Sequence, residues 1–442
     1  MGTMQSLINA AAPLLRDPIF VLAAMLLAGT LAGRLLKLIG LPAMTGYILT
    51  GIALGPQTAD LIDGTMLRPL SDFTDVALGV IAFNIGASFD RATLKALGFG
   101  VILVTLSELV VVVALIASIA LLLGLSLDYA LLLGLLGFPA GPTMTYLLLR
   151  DLGTQGPFVA YVFGTIALGD VLCVIGFGVL STLALSRLGG DAPDMQGAIL
   201  ASLAHEGISL GVGLGLGLIA VPVLHLARRD SRLGRDQLQA LFFGTLLATI
   251  GVASAFGLSH LLTPLGTGLV LANGINVRGL ERLKATIDPL TAPLFIIFLI
   301  TAGAHLEPSA VAQPMIALLA VVYVAAGIAG RVAGSFAVAS LLRLDHAVRR
   351  YLGFASSIQG GLNVGLALSL LNSALRTASG AAVAPVRQLV GTLLVGVLIY
   401  QLIGPLIVRY GVTRGGELAA RRRSSQSPAA PARFSPAVRR KP

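Results

Sequence analysis

The chain has 442 residues, 56% of them apolar and 11% charged, with 53 glycines, no Trp and a formal net charge of +10. That balance excludes an ordinary soluble domain and specifies an all-α polytopic membrane protein. The positive charge does not point to nucleic acid, because nine of the thirty Lys and Arg residues lie at or after Arg409, in a tail rich in Ser, Pro and Ala. That tail, residues 411–442, is expected to be disordered and to lie on anionic lipid.

Runs of roughly the 20 apolar residues that a spanning helix requires give thirteen candidate spans. In chain order they lie near 17–37, 41–56, 69–89, 97–124, 128–149, 157–186, 197–227, 236–257, 259–276, 285–305, 314–342, 347–373 and 383–409. The first has no basic region and small-residue cleavage site before it, so it reads as a retained helix rather than a removable signal. With the tail inside, the loops on that side hold fifteen Lys and Arg residues, from Arg34 to Arg350, and the opposite segments hold five: Arg16, Arg68, Arg187, Arg376 and Arg387. Cytoplasmic loops collect basic residues. The expected setting is a bacterial inner (plasma) membrane with the C-terminus cytoplasmic.

Two of the spans are interrupted. The fifth contains GFPAGPTMTY (137–146) and the twelfth SSIQGGLNVG (356–365), where Pro and Gly remove amide donors or relax the helix. Seven steps separate them, an odd number, so they run in opposite directions. Broken helices at matching places in two oppositely oriented repeats point to a secondary transporter with a site near the bilayer midplane.

Three ionisable groups fall deep within spans: Glu108 in the fourth, Asp170 in the sixth and Arg331 in the eleventh. Each needs a partner, a proton or water. Glu108 and Arg331, which flank the two breaks, read equally as a buried ion bridge between the repeats or as participants in transport. Asp170, beside Gly169, has no other obvious counter-ion than Arg331. Out of water, a carboxyl group is stable with a proton on it or a cation beside it, and rarely with both, which is the chemistry an exchanger requires. Thr143 and Thr145 at the first break, and Ser357, Gln359 and Asn363 at the second, could complete a set of oxygens around a hard cation. Cys173, the single cysteine, cannot form an internal disulfide and reads as a packing residue; no Cys/His spacing resembles a metal site. No cofactor is expected. His205 and Glu206 read as facing the outer interface, Asp72 and Asp75 as acids at a helix start, and His305 as an end-of-helix residue.

The run LPAMTGYILTGIALGP (41–56) is followed by VALGVIAFNIGASFDRATLKALG (76–98), PLFIIFLITAGAHLE (293–307), GRVAGSFAVASLLRL (330–344) and LIGPLIVRY (402–410). This ordered set resembles the cation/proton antiporters of the sodium/hydrogen exchanger superfamily, over essentially the whole membrane portion. The resemblance implies a homodimer in which a dimerisation domain carries a mobile six-helix core with two crossed, broken helices, working as an elevator. On this sequence the dimerisation helices would be 1–96 and 236–307, the linker helix 191–235, and the core 97–190 with 308–410. It also implies that Asp170, in GDVL (169–172), carries the ion and the proton, and Arg331 falls where members have Lys or Arg. Three departures stand out: Gly169 replaces the first member of the usual pair, the first break reads FPAGPTMTY, and Leu362 follows QGG (359–361) where a Glu is usual.

The function implied is electroneutral exchange of a monovalent cation, Na+ first, for H+ at Asp170. Other readings are K+/H+ exchange, a non-transporting sensor or channel on the same fold, and, from ALGD (167–170), an intramembrane aspartyl protease. The last would need a second membrane Asp, which the spans do not offer.

Overall fold

The computed structural model describes residues 17–62, 64–89, 98–141, 145, 149, 154–155, 157–188, 195–229, 234–275, 277–306, 313–377, 383–415 and 417–418. Fourteen α-helices are described: α1 (Pro18–Leu38), α2 (Ala43–Leu54), α3 (Gly64–Gly86), α4 (Phe99–Leu122), α5 (Leu127–Leu136), α6 (Pro157–Leu188), α7 (Met195–Arg229), α8 (Arg235–Ala255), α9 (Leu262–Gly274), α10 (Val277–Ala304), α11 (Pro314–Leu341), α12 (His346–Ala355), α13 (Gly361–Thr377) and α14 (Ala384–Gly415). Seven of them, α1, α4, α6, α7, α8, α11 and α14, are long and apolar enough to cross a membrane.

Local chemistry explains where the helices start. Asp17 caps α1, its carboxylate accepting the N–H groups of Ile19 and Phe20 at 3.0 Å, with Pro18 in the first helical position. Asp345 caps α12 in the same way, accepting from Ala347 N–H at 2.8 Å. Leu27, Leu31, Leu35 and Leu38 on α1, and Leu218, Ile219 and Leu226 on α7, lie exposed on the protein surface. A helix surface of this kind is stable against lipid tails rather than water.

Each apolar run read from the sequence coincides with a helix, and the two interrupted runs are divided where their Gly and Pro residues predict. The first leaves helical geometry between Gly137 and Gly141 and is helical again at Thr145; Pro142 and Thr143 lie outside the described residues. The second is divided into α12 and α13 by residues 356–360. The two breaks touch: a Cβ added to Gly360 would stand 2.8 Å from the Cα of Gly141. Helices α4, α5, α6 and α11 to α14 pack together around one large apolar core, while α1 to α3 pack with α7 to α10. Helix α7 lies against both α9 and α6 and so joins the two groups.

Helices α4 and α11 pack in close backbone contact. Gly330 and Gly334, one turn apart, admit the α4 backbone: a Cβ on Gly334 would stand 2.7 Å from Glu108 Cα, and one on Gly330 2.8 Å from Val112 Cα. Ser107 Oγ adds a hydrogen bond to the Gly334 carbonyl at 3.0 Å. Small residues four apart are the usual means of bringing two membrane helices this close.

Helix α14 runs to Gly415, past residue 409 where the apolar run ends, because Val412 is fully buried and Gly411 and Gly415 pack against Phe354 and Phe158. Beyond it a two-stranded antiparallel pairing joins β1 (Thr154–Gln155) to β2 (Glu417–Leu418), with Thr154 opposite Leu418. This pairing, which the sequence did not predict, holds the start of the tail at the entrance to α6.

Gly334→Val should force α4 and α11 apart at a cost of about 1–3 kcal/mol. The thermal unfolding midpoint of the detergent-solubilised protein should therefore fall; an unchanged midpoint would contradict the packing described.

Candidate ion site at the crossed helix breaks

In an unbroken helix the N–H of residue 140 would bond the carbonyl of 136, and the N–H of 141 the carbonyl of 137. Here both bonds are divided. Ala140 N–H donates instead to Asp170 Oδ1 on α6 at 3.2 Å, and Gly141 N–H donates to the Ile358 carbonyl at 2.6 Å. The carbonyls left behind find side chains from the other break. Leu136 O accepts from Asn363 Nδ2 at 2.7 Å and lies 2.8 Å from the Tyr323 hydroxyl, while Gly137 O accepts from Gln359 Nε2 at 3.1 Å. Asn363 Nδ2 also lies 3.3 Å from Pro139 O, Gln359 Oε1 lies 3.0 Å from the Tyr323 hydroxyl, and Gln401 Nε2 donates to Gln359 O at 3.2 Å.

The three deep charges are all buried, with exposures of 0% for Glu108, 3% for Asp170 and 2% for Arg331. Arg331 Nη1 stands 3.7 Å from Glu108 Oε2, and neither Glu108 oxygen has a hydrogen-bond partner. The guanidinium lies over the Phe138 ring, 4.8 Å from its centroid, and remains within electrostatic reach of Asp170. Arg331 is thus an ion partner for Glu108 through space, a cation over an aromatic face, and a neighbouring positive charge for the carboxylate on α6.

Gly169 acquires a physical reason here. A Cβ at this position would stand 2.8 Å from Phe138 Cε1, so the absence of a side chain lets the ring lie between α6 and Arg331. The place where the resemblance leads one to expect a polar or acidic neighbour of Asp170 is filled by an aromatic ring.

Of the residues singled out from sequence, Asp170, Gly169, Glu108, Arg331, Gln359 and Asn363 all belong to this crossing. The amide nitrogens of Gln359 and Asn363 are committed to the carbonyls of the first break, while Asn363 Oδ1 is buried without a hydrogen-bond partner. Thr145 is buried there, its hydroxyl 3.3 Å from Gly141 O, and the Ser357 hydroxyl donates to Gly353 O. Thr143 lies outside the described residues. Cys173 packs as expected, with its thiol 3.4 Å from Leu135 O. Sequence reasoning missed Phe138, Ala140, Tyr323 and Gln401. The last two are polar groups inside apolar helices, a signal weaker than charge but present; a backbone N–H and a phenyl ring give none.

Elsewhere Glu206 corrects the sequence reading. It does not face the outer interface but is buried between α7 and α6, whereas its neighbour His205 is exposed. Asp72 and Asp75 do not open a helix, since α3 begins at Gly64 and both fall within it; the Asp75 carboxylate lies 3.2 Å from His260 Nδ1, and the Asp72 side chain lies outside the described residues. His305 follows directly after the last turn of α10 and is half-buried.

Two broken helices crossing beside a buried carboxylate define a secondary transporter, and comparison with known proteins gives the family. Residues 22–410 match the family described as sodium/hydrogen exchanger, transmembrane, and the chain belongs to it: it is a cation/proton antiporter. Among curated relatives, it is 23% identical to the Na(+)/H(+)-K(+) antiporter GerN of Bacillus cereus, over 69% of this chain and 76% of that protein. It is 25% identical to the putative cation/proton antiporter YbaL of Escherichia coli, over 82% of this chain and 65% of that longer protein. Its fold matches the sodium proton antiporter MjNhaP1 of Methanocaldococcus jannaschii with a TM-score of 0.73, at 15% identity, over 90% of this chain and 99% of the other.

Replacing Arg331 by Ala leaves Glu108 as an uncompensated buried acid and should cost about 3–5 kcal/mol of stability, much of it regained in the double variant Glu108→Leu/Arg331→Ala. Thermal unfolding in detergent checks this; equal losses in the single and double variants would mean that the two charges do not act on one another.

Proposed function

We propose that the chain exchanges a monovalent cation, Na+ first, for H+, with Asp170 holding each in turn. The observation that carries this reading is the placement of Asp170: a buried carboxylate on α6 whose Oδ1 accepts the N–H freed by the break at Ala140. A helix break supplies a fixed dipole, and carbonyls that still have a second lone pair, at the depth where an ion must lose its water. When the carboxyl group is protonated the site is neutral. When the proton leaves, the carboxylate takes the cation, with Thr145, Thr143 and carbonyls of the break as further oxygens. Hard monovalent cations prefer such an all-oxygen shell, and the acid supplies its only full charge.

Phe138 fills the side of Asp170 next to Gly169, so a single carboxylate serves the site. One charge site exchanges one proton for one cation, and the complex carries the same charge across the membrane in both directions. The exchange is therefore electroneutral. Arg331, balanced by Glu108 and seated on Phe138, keeps the surroundings of Asp170 positive enough to hold an anion and leaves Asp170 itself free for the transported ion.

The moving part is the group formed by α4 to α6 and α11 to α14, sliding as an elevator against a dimeric scaffold of α1 to α3 and α8 to α10, with α7 as the linker. The thirteen-span topology, with a cytoplasmic C-terminus in a bacterial inner membrane and a basic tail on anionic lipid, accords with the distribution of Lys and Arg. A second reading is K+/H+ exchange, favoured by the likeness to GerN, whose name includes both ions. Protease chemistry lacks its second acid: among the described residues Asp170 is the only buried Asp.

The test is proton flux in sealed proteoliposomes containing a pH dye, with sodium, lithium or potassium added in turn and the potential clamped with valinomycin. A cation-driven pH rise in acid-loaded vesicles, indifferent to the clamp and abolished by Asp170→Asn, is the expected result. Asn retains an oxygen for the Ala140 N–H, so this variant should fold. Flux that survives in it would overturn the assignment of Asp170, and flux that follows the potential would overturn electroneutrality.

A further inference from the structure

Among the described residues, Glu206 is the one buried acid that the crossing does not use. It sits eleven residues into α7, is 9% exposed, and its Oε2 has no hydrogen-bond partner. Among the described residues no Lys or Arg pairs with it; Arg331 pairs with Glu108 instead. An acid at this depth requires a proton, a cation or water.

Its surroundings are oxygens. The Ser259 side chain reaches the Glu206 carboxyl group, while Ser259 Oγ accepts from Leu262 N–H at 3.2 Å and so keeps its own proton to donate. The Ser259 backbone is fixed by its N–H bond to Ser209 Oγ at 3.0 Å, one turn beyond Glu206 on α7. One turn before Glu206, Ser202 is buried with its hydroxyl unpartnered. Across the seam, Gly178 of α6 makes the room: a Cβ there would collide with Glu206 Oε1. The hydroxyls of Ser181 and Thr182, on the next turn of α6, are held by the Gly178 carbonyl at 3.2 and 2.9 Å. His260, next to Ser259 in sequence, is engaged with Asp75, Nδ1 to Oδ2 at 3.2 Å.

Gly178 lies eight residues beyond Asp170 on α6, a rise of about 12 Å. The carboxylate of Glu206 therefore stands two turns from the proposed carrier, at the seam between the carrier helix and the helix that joins the two groups.

We infer that Glu206, with the hydroxyls of Ser202 and Ser259, forms a second binding site for a monovalent cation, a station between Asp170 and the end of α6 at Leu188. An ionised carboxylate with two hydroxyl oxygens is a ligand set for a hard cation, and the glycine facing it admits the Glu206 side chain, which occupies the space a Cβ would take. The inference rests on reading the chain as a cation carrier, but not on the role of Asp170.

The experiment is equilibrium binding of radioactive sodium and rubidium to purified protein in detergent at alkaline pH, carried out in the Asp170→Asn background. Saturable binding should persist there and disappear in Asp170→Asn/Glu206→Gln. Gly178→Ala, which crowds the acid without removing it, should weaken that residual binding by about tenfold or more, and this arm decides the matter if the Gln variant does not fold. No saturable binding in Asp170→Asn, or binding indifferent to both Glu206→Gln and Gly178→Ala, would overturn the second site. Loss of flux in Asp170→Asn judges the carrier separately, so the two readings fail in distinguishable ways.

Discussion

Everything at the centre of this protein depends on two hydrogen bonds that α5 does not make with itself. Buried backbone groups must be paired, and in a membrane no water comes to the lipid-facing side to relieve them. The N–H groups of Ala140 and Gly141 and the carbonyls of Leu136 and Gly137 are therefore each matched from outside the helix. Asp170 takes one donor, Ile358 the other, and Asn363 and Gln359 supply the missing donors to the carbonyls. The break thus locks the second broken helix and α6 onto the first in one step. An acid is held within a few ångströms of a helix end rather than in hydrocarbon.

The charges follow from that constraint. Arg331 has Glu108 as its ionic partner at a distance too long for a hydrogen bond, and its guanidinium lies over the Phe138 ring. Phe138 can stand there because residue 169 has no side chain. The Gly330 and Gly334 contacts bring α4 and α11 together at the level of Glu108, so the pair of charges sits where the two helices approach most closely. A chain of small packing facts therefore sets the electrostatics around Asp170: one buried acid on α6 stands beside one buried ion pair, Arg331 with Glu108.

Much of this was legible in the sequence, for a physical reason. A charge inside twenty apolar residues is conspicuous, so Glu108, Asp170 and Arg331 could be singled out without coordinates, and Pro139 with the glycines of QGG betrayed both breaks. Gln359 and Asn363 were legible as polar groups but not in their role. Sequence suggests that an amide offers its oxygen to an ion; the freed carbonyls of α5 instead engage its nitrogen. Phe138 and Ala140 were invisible, since one looks like core and the other acts through its backbone. Glu206 was misplaced because an acid near a helix start is usually solvated, and only the helix phase against α6 reveals that it turns inward beside Gly178. The end of α14 was set by packing on α12 that no local pattern encodes.

The central claim is that one carboxylate holds either a proton or a cation. The most direct measurement is the proton release that follows addition of sodium or potassium to purified protein in weakly buffered detergent solution, read against the amount of cation bound at Asp170. The account predicts one proton released for each cation taken up there, and no such release in Asp170→Asn. Cation binding at that site without release of protons would contradict it.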